Sequence, residues 1–451
     1  MKVCKFGGSS LADAAQIKKV CDIVLADPTR RAVIVSAPGK RYSEDTKVTD
    51  LLIALGNAVI SGYDGQSELD KVVERFAGIV KELSLAHTVL EDITANLQSC
   101  VASYTGDRTL FMDVIKAAGE NNCARLVAAY LNSIDRPALY VDLYKAGFFL
   151  TTENGRTKVL DETYDNVYQL KKYREILVFP GFFGYSKDGE VLTFSRGGSD
   201  ITGAIVTAAM RASIYENWTD VDNVYAVNPA LVRQPHAIKE ITYDEMRELA
   251  YAGFTVLHEE ALEPAFRRNI PVNIRNTNNP SAAGTMIVSE RMDFDGILTG
   301  IAGKKGFVIL HISKYLMNGE VGFALKILQI LADLNIPFDH MPSGIDSLSI
   351  IMREEVFPPD KEQLVVRRLR EELHIDHAYT ERGVSIVMIV GAAMNQTVGV
   401  TSRACSALSH AGINLEFIIQ GASEISVMFG VKNQYANYAV QTLYHEFYPF
   451  S

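Results

Sequence analysis

The chain has 451 residues, 48% hydrophobic and 22% charged, which fits two or three folded units and excludes a mainly disordered polymer. A net charge of −10 with no basic tract argues against a nucleic-acid partner. Five scattered cysteines (Cys4, Cys21, Cys100, Cys123, Cys405) show no C-x-x-C spacing, and no apolar run has signal-peptide or bilayer-spanning length, so a cytoplasmic protein with no membrane partner is expected.

Up to about Arg275, short β-branched runs alternate with helical patterns, which predicts βαβ units around a largely parallel sheet. The expected strands are Val3–Phe6, Ala32–Ser36, Ala138–Leu143, Ile176–Pro180, Ser213–Trp218 and Pro271–Ile274, most of them buried on both faces. At the end of the first comes Lys5-Phe6-Gly7-Gly8-Ser9-Ser10. Paired glycines let backbone N–H groups face an anion, and the lysine adds a point charge, although a plain turn is an equal reading of these residues alone. Neither a Walker A loop nor a G-x-G-x-x-G follows any strand. Ile17, Val20, Cys21 and Val24 then recur at helical spacing.

A second glycine-rich segment, Ser195-Arg196-Gly197-Gly198-Ser199-Asp200, precedes a helical pattern at Ile201, Ala204, Ile205 and Ala208. Glycines at a helix N-terminus make an oxyanion cradle, and an arginine there can grip a carboxylate through two parallel hydrogen bonds. Ser199 and Asp200 alone would be ordinary N-caps. Thr242 and Glu245 form a capping-box pattern that opens another helix. The turn-rich segment Asn276–Gly284 places a domain boundary close behind it.

Beyond that boundary the chain repeats itself at an offset of 77 positions. Val321-Gly322 aligns with Val398-Gly399, Lys326 with Arg403, Leu331 with Leu408, Ile336 with Ile413 and Asp339 with Glu416. Each copy reads strand, glycine, amphipathic helix and strand, the pattern of a ferredoxin-like βαββαβ module.

KFGGSS at the start, Gly119-Glu120, Gly181-Phe182-Phe183-Gly184, SRGGSD at 195–200, Trp218-Thr219-Asp220-Val221 and the tandem repeat together resemble the aspartate kinases of the amino-acid kinase superfamily, with paired ACT domains. The resemblance runs along essentially the whole chain. It implies an α/β catalytic domain over 1–295, a mostly parallel sheet sandwiched by helices. Two ferredoxin-like ACT modules follow within 296–451, at about 306–382 and 383–451, the second open to completion by a strand from 296–305. The implied reaction is transfer of the γ-phosphoryl of ATP, with Mg²⁺, to the side-chain carboxylate of L-aspartate. A carboxylate is already ionised at neutral pH, so no general base is needed; alignment and charge cancellation are.

Carried over position by position, the resemblance puts Lys5 on the transferring phosphoryl group, with Gly7, Gly8 and Ser9 cradling it. Thr49, Glu120, Phe182, Arg196, Gly197, Gly198 and Ser199 would form the aspartate pocket, with Glu120 on the α-ammonium and Arg196 on the α-carboxylate. Asp200 would orient Lys5 or metal-bound water. Thr219, Asp220, Tyr225, Thr255 and Val256 would contact the nucleotide. Met317, Gly322, Phe323, Asp339 and Ser343 would bind an amino-acid effector, lysine first and threonine next. A homodimer or dimer of dimers through the ACT modules is implied.

Two departures stand out. Asn228-Pro229-Ala230 lacks the arginine of the family's D-P-R, and Thr255 replaces a common lysine, leaving Lys239, Arg267 or Arg268 as candidates to compensate. The absence of a dinucleotide fingerprint before Ser451 argues against fusion to a homoserine dehydrogenase. A kinase for another acidic amino acid and a non-catalytic amino-acid sensor are the competing readings.

Overall fold

Val3, Cys4 and Phe6 fit a strand buried on both sides, and the strand they form, Lys2–Phe6, lies in the middle of an eight-stranded sheet. The structure is a computed structural model that describes residues 1–449 apart from Asn154, Arg196, 255–258, Asp293 and Asp295. Across the sheet the order is Glu240–Thr242, Thr285–Val288, Val272–Asn276, Ile214–Thr219, Lys2–Phe6, Arg30–Val35, Ile176–Pro180 and Ala138–Tyr140. The last six are mutually parallel, so their C-terminal ends share one edge. All six strands expected from the sequence are present within a few residues. Ala138–Tyr140 is shorter than expected and only half-buried, because it closes the sheet edge.

The segment Asn276–Gly284 turns the chain back within this sheet, since Thr285–Val288 pairs antiparallel with Val272–Asn276. Gly284 makes that return possible. Its φ is +76°, and a Cβ there would lie 2.0 Å from the Ile274 carbonyl oxygen.

Helix Ala14–Leu25 covers one sheet face with four consecutive helices, Val48–Ile60, Gln66–Glu82, His87–Ala102 and Arg108–Ser133. Cys4, Phe6, Val33, Val35 and Trp218 pack against Ile17, Val24, Leu52 and Phe76 in that layer. On the other face lies helix Gly198–Ala209, where Gly203 leaves room for Tyr215: a Cβ would stand 2.3 Å from its hydroxyl. The capping box forms as the sequence predicts, with the Thr242 N–H donating to Glu245 at 2.9 Å and the Glu245 N–H to Thr242 at 3.2 Å.

The chain divides into two compact units. The first comprises Met1–Val224, Ala237–Met246 and Thr255–Met292; the second comprises Tyr225–His236, Arg247–Phe254 and Asp293–Ser451. The second holds a five-stranded antiparallel sheet ordered Ser347–Arg353, Gly300–Ser313, His377–Val390, Ser426–Lys432, Phe417–Gln420. Its two central strands run 14 residues each, and their registers shift around Gly306, at φ +87°. Residues 307–313 pair with Ser347–Arg353, whereas 300–305 pair with 385–390, beside Ser426–Lys432. The repeat is visible in the backbone: Gly322 and Gly399, at φ +78° and +87°, cap helices Phe323–Asp333 and Val400–His410.

Candidate active site

The six parallel strands end on one edge of the first unit, and the side chains expected to do chemistry collect there. Lys5 is 8% exposed, and its Nζ lies 2.6 Å from Asp200 Oδ1. Asn217, the register partner of Lys5 on the neighbouring strand, donates from Nδ2 to the same oxygen at 2.7 Å. The Tyr215 hydroxyl donates to the Asp200 carbonyl at 3.2 Å; burial, then the Asp200 charge, push that phenol well above its usual range. Asp200 stands in the first turn of helix Gly198–Ala209, so the helix delivers it to the lysine.

The turn after Lys5 is open to a ligand. The Gly7 N–H is taken by the Trp218 carbonyl at 3.1 Å and the Ser10 N–H by the Gly7 carbonyl at 3.0 Å. Among the described residues, the N–H groups of Gly8 and Ser9 have no protein acceptor. A Cβ on Gly7 would be 3.8 Å from Lys5 Nζ, which places the ammonium beside this turn. Gly8 is hemmed in: a Cβ would be 2.9 Å from the Ala37 carbonyl oxygen.

Glu120 projects from helix Arg108–Ser133 and is 6% exposed. Gly119 brings that helix against Ala37, where a Cβ would meet the alanine methyl at 2.8 Å. Burial lifts the Glu120 carboxyl to about 7, although an N–H from Ala37 favours its charged form. Among the described residues its Oε2 is buried with no hydrogen-bond partner. A buried carboxylate left half-satisfied suits a cationic ligand group, because an unpaired polar atom is costly. Thr49 lies in the first turn of helix Val48–Ile60, whose Val48 also packs toward Gly119.

Gly181 and Phe182 form the opposite wall. The Gly181 N–H donates to the Val35 carbonyl at 2.9 Å. A Cβ at Gly181 would strike Ser199 at 2.6 Å, and one at Gly198 would strike Phe182 at 2.6 Å. Phe182 itself has φ +77°, held by its N–H donating to Thr202 Oγ1 at 3.0 Å. A bulky residue in that region carries about 1–3 kcal/mol of backbone strain, characteristic of functional turns. Gly197, at φ +71°, caps the adjoining helix.

Of the other expected residues, Arg196, Thr255 and Val256 lie outside the described residues. Thr219 ends the Ile214–Thr219 strand and Asp220 follows it, on the same edge as Lys5, while Tyr225 belongs to the second unit. Arg267 pairs with Glu263 at 2.7 Å and Arg268 stacks over Tyr164 at 5.3 Å, so two of the three candidate replacement cations already have partners. Sequence reasoning missed Asn217, although its register with Lys5 follows once the two strands are aligned as neighbours.

In the second unit, Met317 and Phe323 are core residues of the first repeat, beside Ile327 and Leu331. Ser343 is exposed and Gly322 caps its helix. Asp339 accepts a 3.0 Å hydrogen bond from the Tyr251 hydroxyl, which also lies 3.1 Å from His340 Nε2. Glu416, the equivalent of Asp339 in the second repeat, faces Lys432 Nζ at 3.7 Å. The same ammonium contacts Glu381.

Comparison with known families places residues 1–276 in the amino acid kinase family and residues 387–447 in an ACT domain. Aspartokinase 3 of Bacillus subtilis (strain 168) is 50% identical over 448 residues, covering 99% of both chains. Among solved structures, Clostridium acetobutylicum aspartate kinase superposes with a TM-score of 0.85 at 36% identity, covering 99% of this chain and 100% of that one. E. coli aspartokinase III is 26% identical, with 99% of each chain covered. Its complex with aspartate and ADP gives a TM-score of 0.79, and its complex with lysine and aspartate gives 0.73. The chain belongs to the aspartokinase family.

Proposed function

We propose that the edge formed by Lys5, Gly8, Ser9, Glu120, Phe182, Ser199 and Asp200 transfers the γ-phosphoryl group of ATP to the side-chain carboxylate of L-aspartate, giving 4-phospho-L-aspartate. The family membership supplies the reaction, and the E. coli relative solved with aspartate and ADP supports the ligands. The observation that carries the site assignment is the buried Lys5 ammonium, oriented by Asp200 and standing beside two amides that have no protein acceptor.

In this reading the γ-phosphoryl group lies against the Gly8 and Ser9 amides, with Gly7 giving the backbone room. Lys5 meets the charge that shifts toward the bridging oxygen as the bond to ADP breaks. Glu120 takes the substrate's α-ammonium, Arg196 its α-carboxylate, and Thr49, Phe182, Gly197, Gly198 and Ser199 complete the walls. The side-chain carboxylate is then the end left to attack. Thr219, Asp220, Tyr225, Thr255 and Val256 are assigned to the nucleotide.

Among the described residues no group of three or more His, Cys, Asp and Glu side chains could enclose a metal. Mg²⁺ would be held chiefly by nucleotide phosphates and water, with Asp200 and Asp220 as the carboxylates assigned to it. The ion would offset phosphate charge.

The catalytic domain is assigned to residues 1–295 and the regulatory modules to 296–451. The E. coli relative solved with lysine supports an amino-acid effector. Asp339 is the residue assigned to its ammonium, with Gly322, Ser343 and the core residues Met317 and Phe323 shaping the position. The Tyr251 hydroxyl donates to Asp339, so an effector ammonium taking this carboxylate competes with that hydrogen bond. Exposed Leu316, Val321, Leu325 and Ile345 on the first repeat support pairing with a second copy of the chain, in a homodimer or dimer of dimers. Among the described residues no helix is long and apolar enough to cross a membrane.

The reaction is tested by incubating the protein with ATP, hydroxylamine and aspartate, glutamate or acetylglutamate in turn. Hydroxamate formation with aspartate alone is expected. Turnover of another acid in preference to aspartate would overturn the reading.

A further inference from the structure

The phosphate-side turn is braced by a buried group with no part in the assignments above. Arg75, on helix Gln66–Glu82, is 6% exposed, and its guanidinium serves three acceptors on separate segments. Nη1 donates to Asp45 Oδ2 at 2.7 Å, while Nη2 donates to the Ala12 carbonyl at 2.8 Å and the Gly39 carbonyl at 2.7 Å. Asp45, 8% exposed, also accepts from the Arg41 N–H at 2.9 Å and from its Nε and Nη2 at 2.8 Å each. The Arg41 guanidinium, then Arg75, hold the Asp45 carboxyl far below the ordinary range, so it stays charged.

The two carbonyls matter because of where they stand. Ala12 directly follows the Gly8–Leu11 turn. Gly39 opens the 39–47 loop, and its N–H donates to the Gly8 carbonyl at 2.8 Å. Gly39 also touches the turn so closely that a Cβ would lie 2.6 Å from Gly8 C and 2.8 Å from Ser9 N. Arg75 therefore grips the glycine turn at its far end directly, and at Gly8 through Gly39. The peptide linking Gly8 to Ser9, whose carbonyl accepts from Gly39, is the one that points the Ser9 N–H outward.

We propose that Arg75 and Asp45 are positioning residues for phosphoryl transfer, holding the Gly8 and Ser9 amides in the orientation that the transferring group requires. The proposal rests on the reading that this turn cradles the γ-phosphoryl group. An amide displaced or rotated by a fraction of an ångström no longer meets the oxygen on which charge develops, so the loss falls on kcat. A lysine at position 75 can pair with Asp45, but its compact ammonium cannot span two further carbonyls in one plane.

The test compares wild type with Arg75→Lys, Arg75→Met and Asp45→Asn, measuring Tm, kcat and KM for both substrates. Arg75→Lys is expected to retain a Tm near wild type while kcat falls about tenfold or more and KM for aspartate stays within about twofold. Arg75→Met and Asp45→Asn should lose kcat by a comparable or larger factor, and if Arg75→Met does not accumulate as folded protein, the other two decide. A kcat that recovers in step with Tm in Arg75→Lys, or that stays within twofold of wild type in Asp45→Asn, would overturn the proposal. Wild-type turnover with aspartate in the same assay separates this outcome from a wrong reading of the reaction, which would leave wild type inactive as well.

Discussion

Strands Lys2–Phe6 and Ile214–Thr219 carry charge on both faces, and the two faces treat it differently. On one, Glu216 is 1% exposed and fully engaged. It accepts from Arg30 Nε at 2.7 Å and Nη2 at 3.2 Å, from Lys2 at 3.2 Å and from Trp218 Nε1 at 3.1 Å, with Cys4 Sγ at 3.4 Å and Arg275 at 3.8 Å. The cluster is closed by protein groups. On the other face, Lys5 and Asn217 converge on Asp200, beside the open amides of Gly8 and Ser9; nearby, Glu120 keeps one oxygen unpartnered among the described residues. Burial of charge is common to both regions, so burial does not mark the site. Incomplete satisfaction does.

That contrast predicts opposite failures. Glu216→Ala leaves the buried Arg30 guanidinium without its carboxylate and takes one partner from Lys2 and Arg275, and should cost about 3–5 kcal/mol of stability in denaturant unfolding while the folded fraction keeps its kcat. Lys5→Met should do the reverse: kcat falls by about 10²–10³, roughly 2.7–4 kcal/mol of transition-state stabilisation, with little loss of Tm. A Lys5 variant that is unstable yet catalytically normal per folded molecule would erase the distinction.

Glu120→Gln is expected to raise KM for aspartate by about tenfold to a hundredfold, the value of a charge-assisted hydrogen bond, about 1.5–3 kcal/mol. The pH dependence has a definite sign. Folding raises the Glu120 carboxyl from 4.5 to about 7 by burial, so its contribution to ligand-free stability is present below 4.5 and is lost as pH rises through 7. An α-ammonium favours the ionised form, so aspartate binding should release a proton below pH 7. KM for aspartate should fall as pH rises and level off above 7, a dependence that Glu120→Gln abolishes.

The smallest effect concerns the two repeats. Asp339 is held by a neutral hydroxyl, whereas Glu416 already faces a protein ammonium. Tyr251→Phe removes one hydrogen bond worth about 0.5–1.5 kcal/mol and should tighten effector inhibition by up to about tenfold, with uninhibited kcat unchanged. An unchanged inhibition constant would separate Asp339 from the effector.

Much of this was legible in the sequence. The six parallel strands announced themselves as β-branched runs, and the glycine turns at 7–8 and 197–198 stood at strand and helix ends. The 77-residue offset located Gly322 and Gly399 at matching positive-φ caps. The strands Glu240–Thr242 and Thr285–Val288 were not legible, because three or four residues are too few to show a period. The Arg75 clamp joins residues 30 to 63 positions apart, and Tyr251 meets Asp339 across 88, so no local spacing signals either. Such contacts emerge only when the helices are packed.

The most direct measurement is a crystal structure of this chain with ADP and L-aspartate bound together. The account predicts Lys5 Nζ within hydrogen-bond distance of the nucleotide's terminal phosphate and Glu120 on the amino acid's ammonium, with the substrate's side-chain carboxylate pointing toward the Gly8–Ser9 turn. Aspartate bound with its ammonium away from Glu120, or a nucleotide whose phosphates leave Lys5 paired only with Asp200, would contradict it.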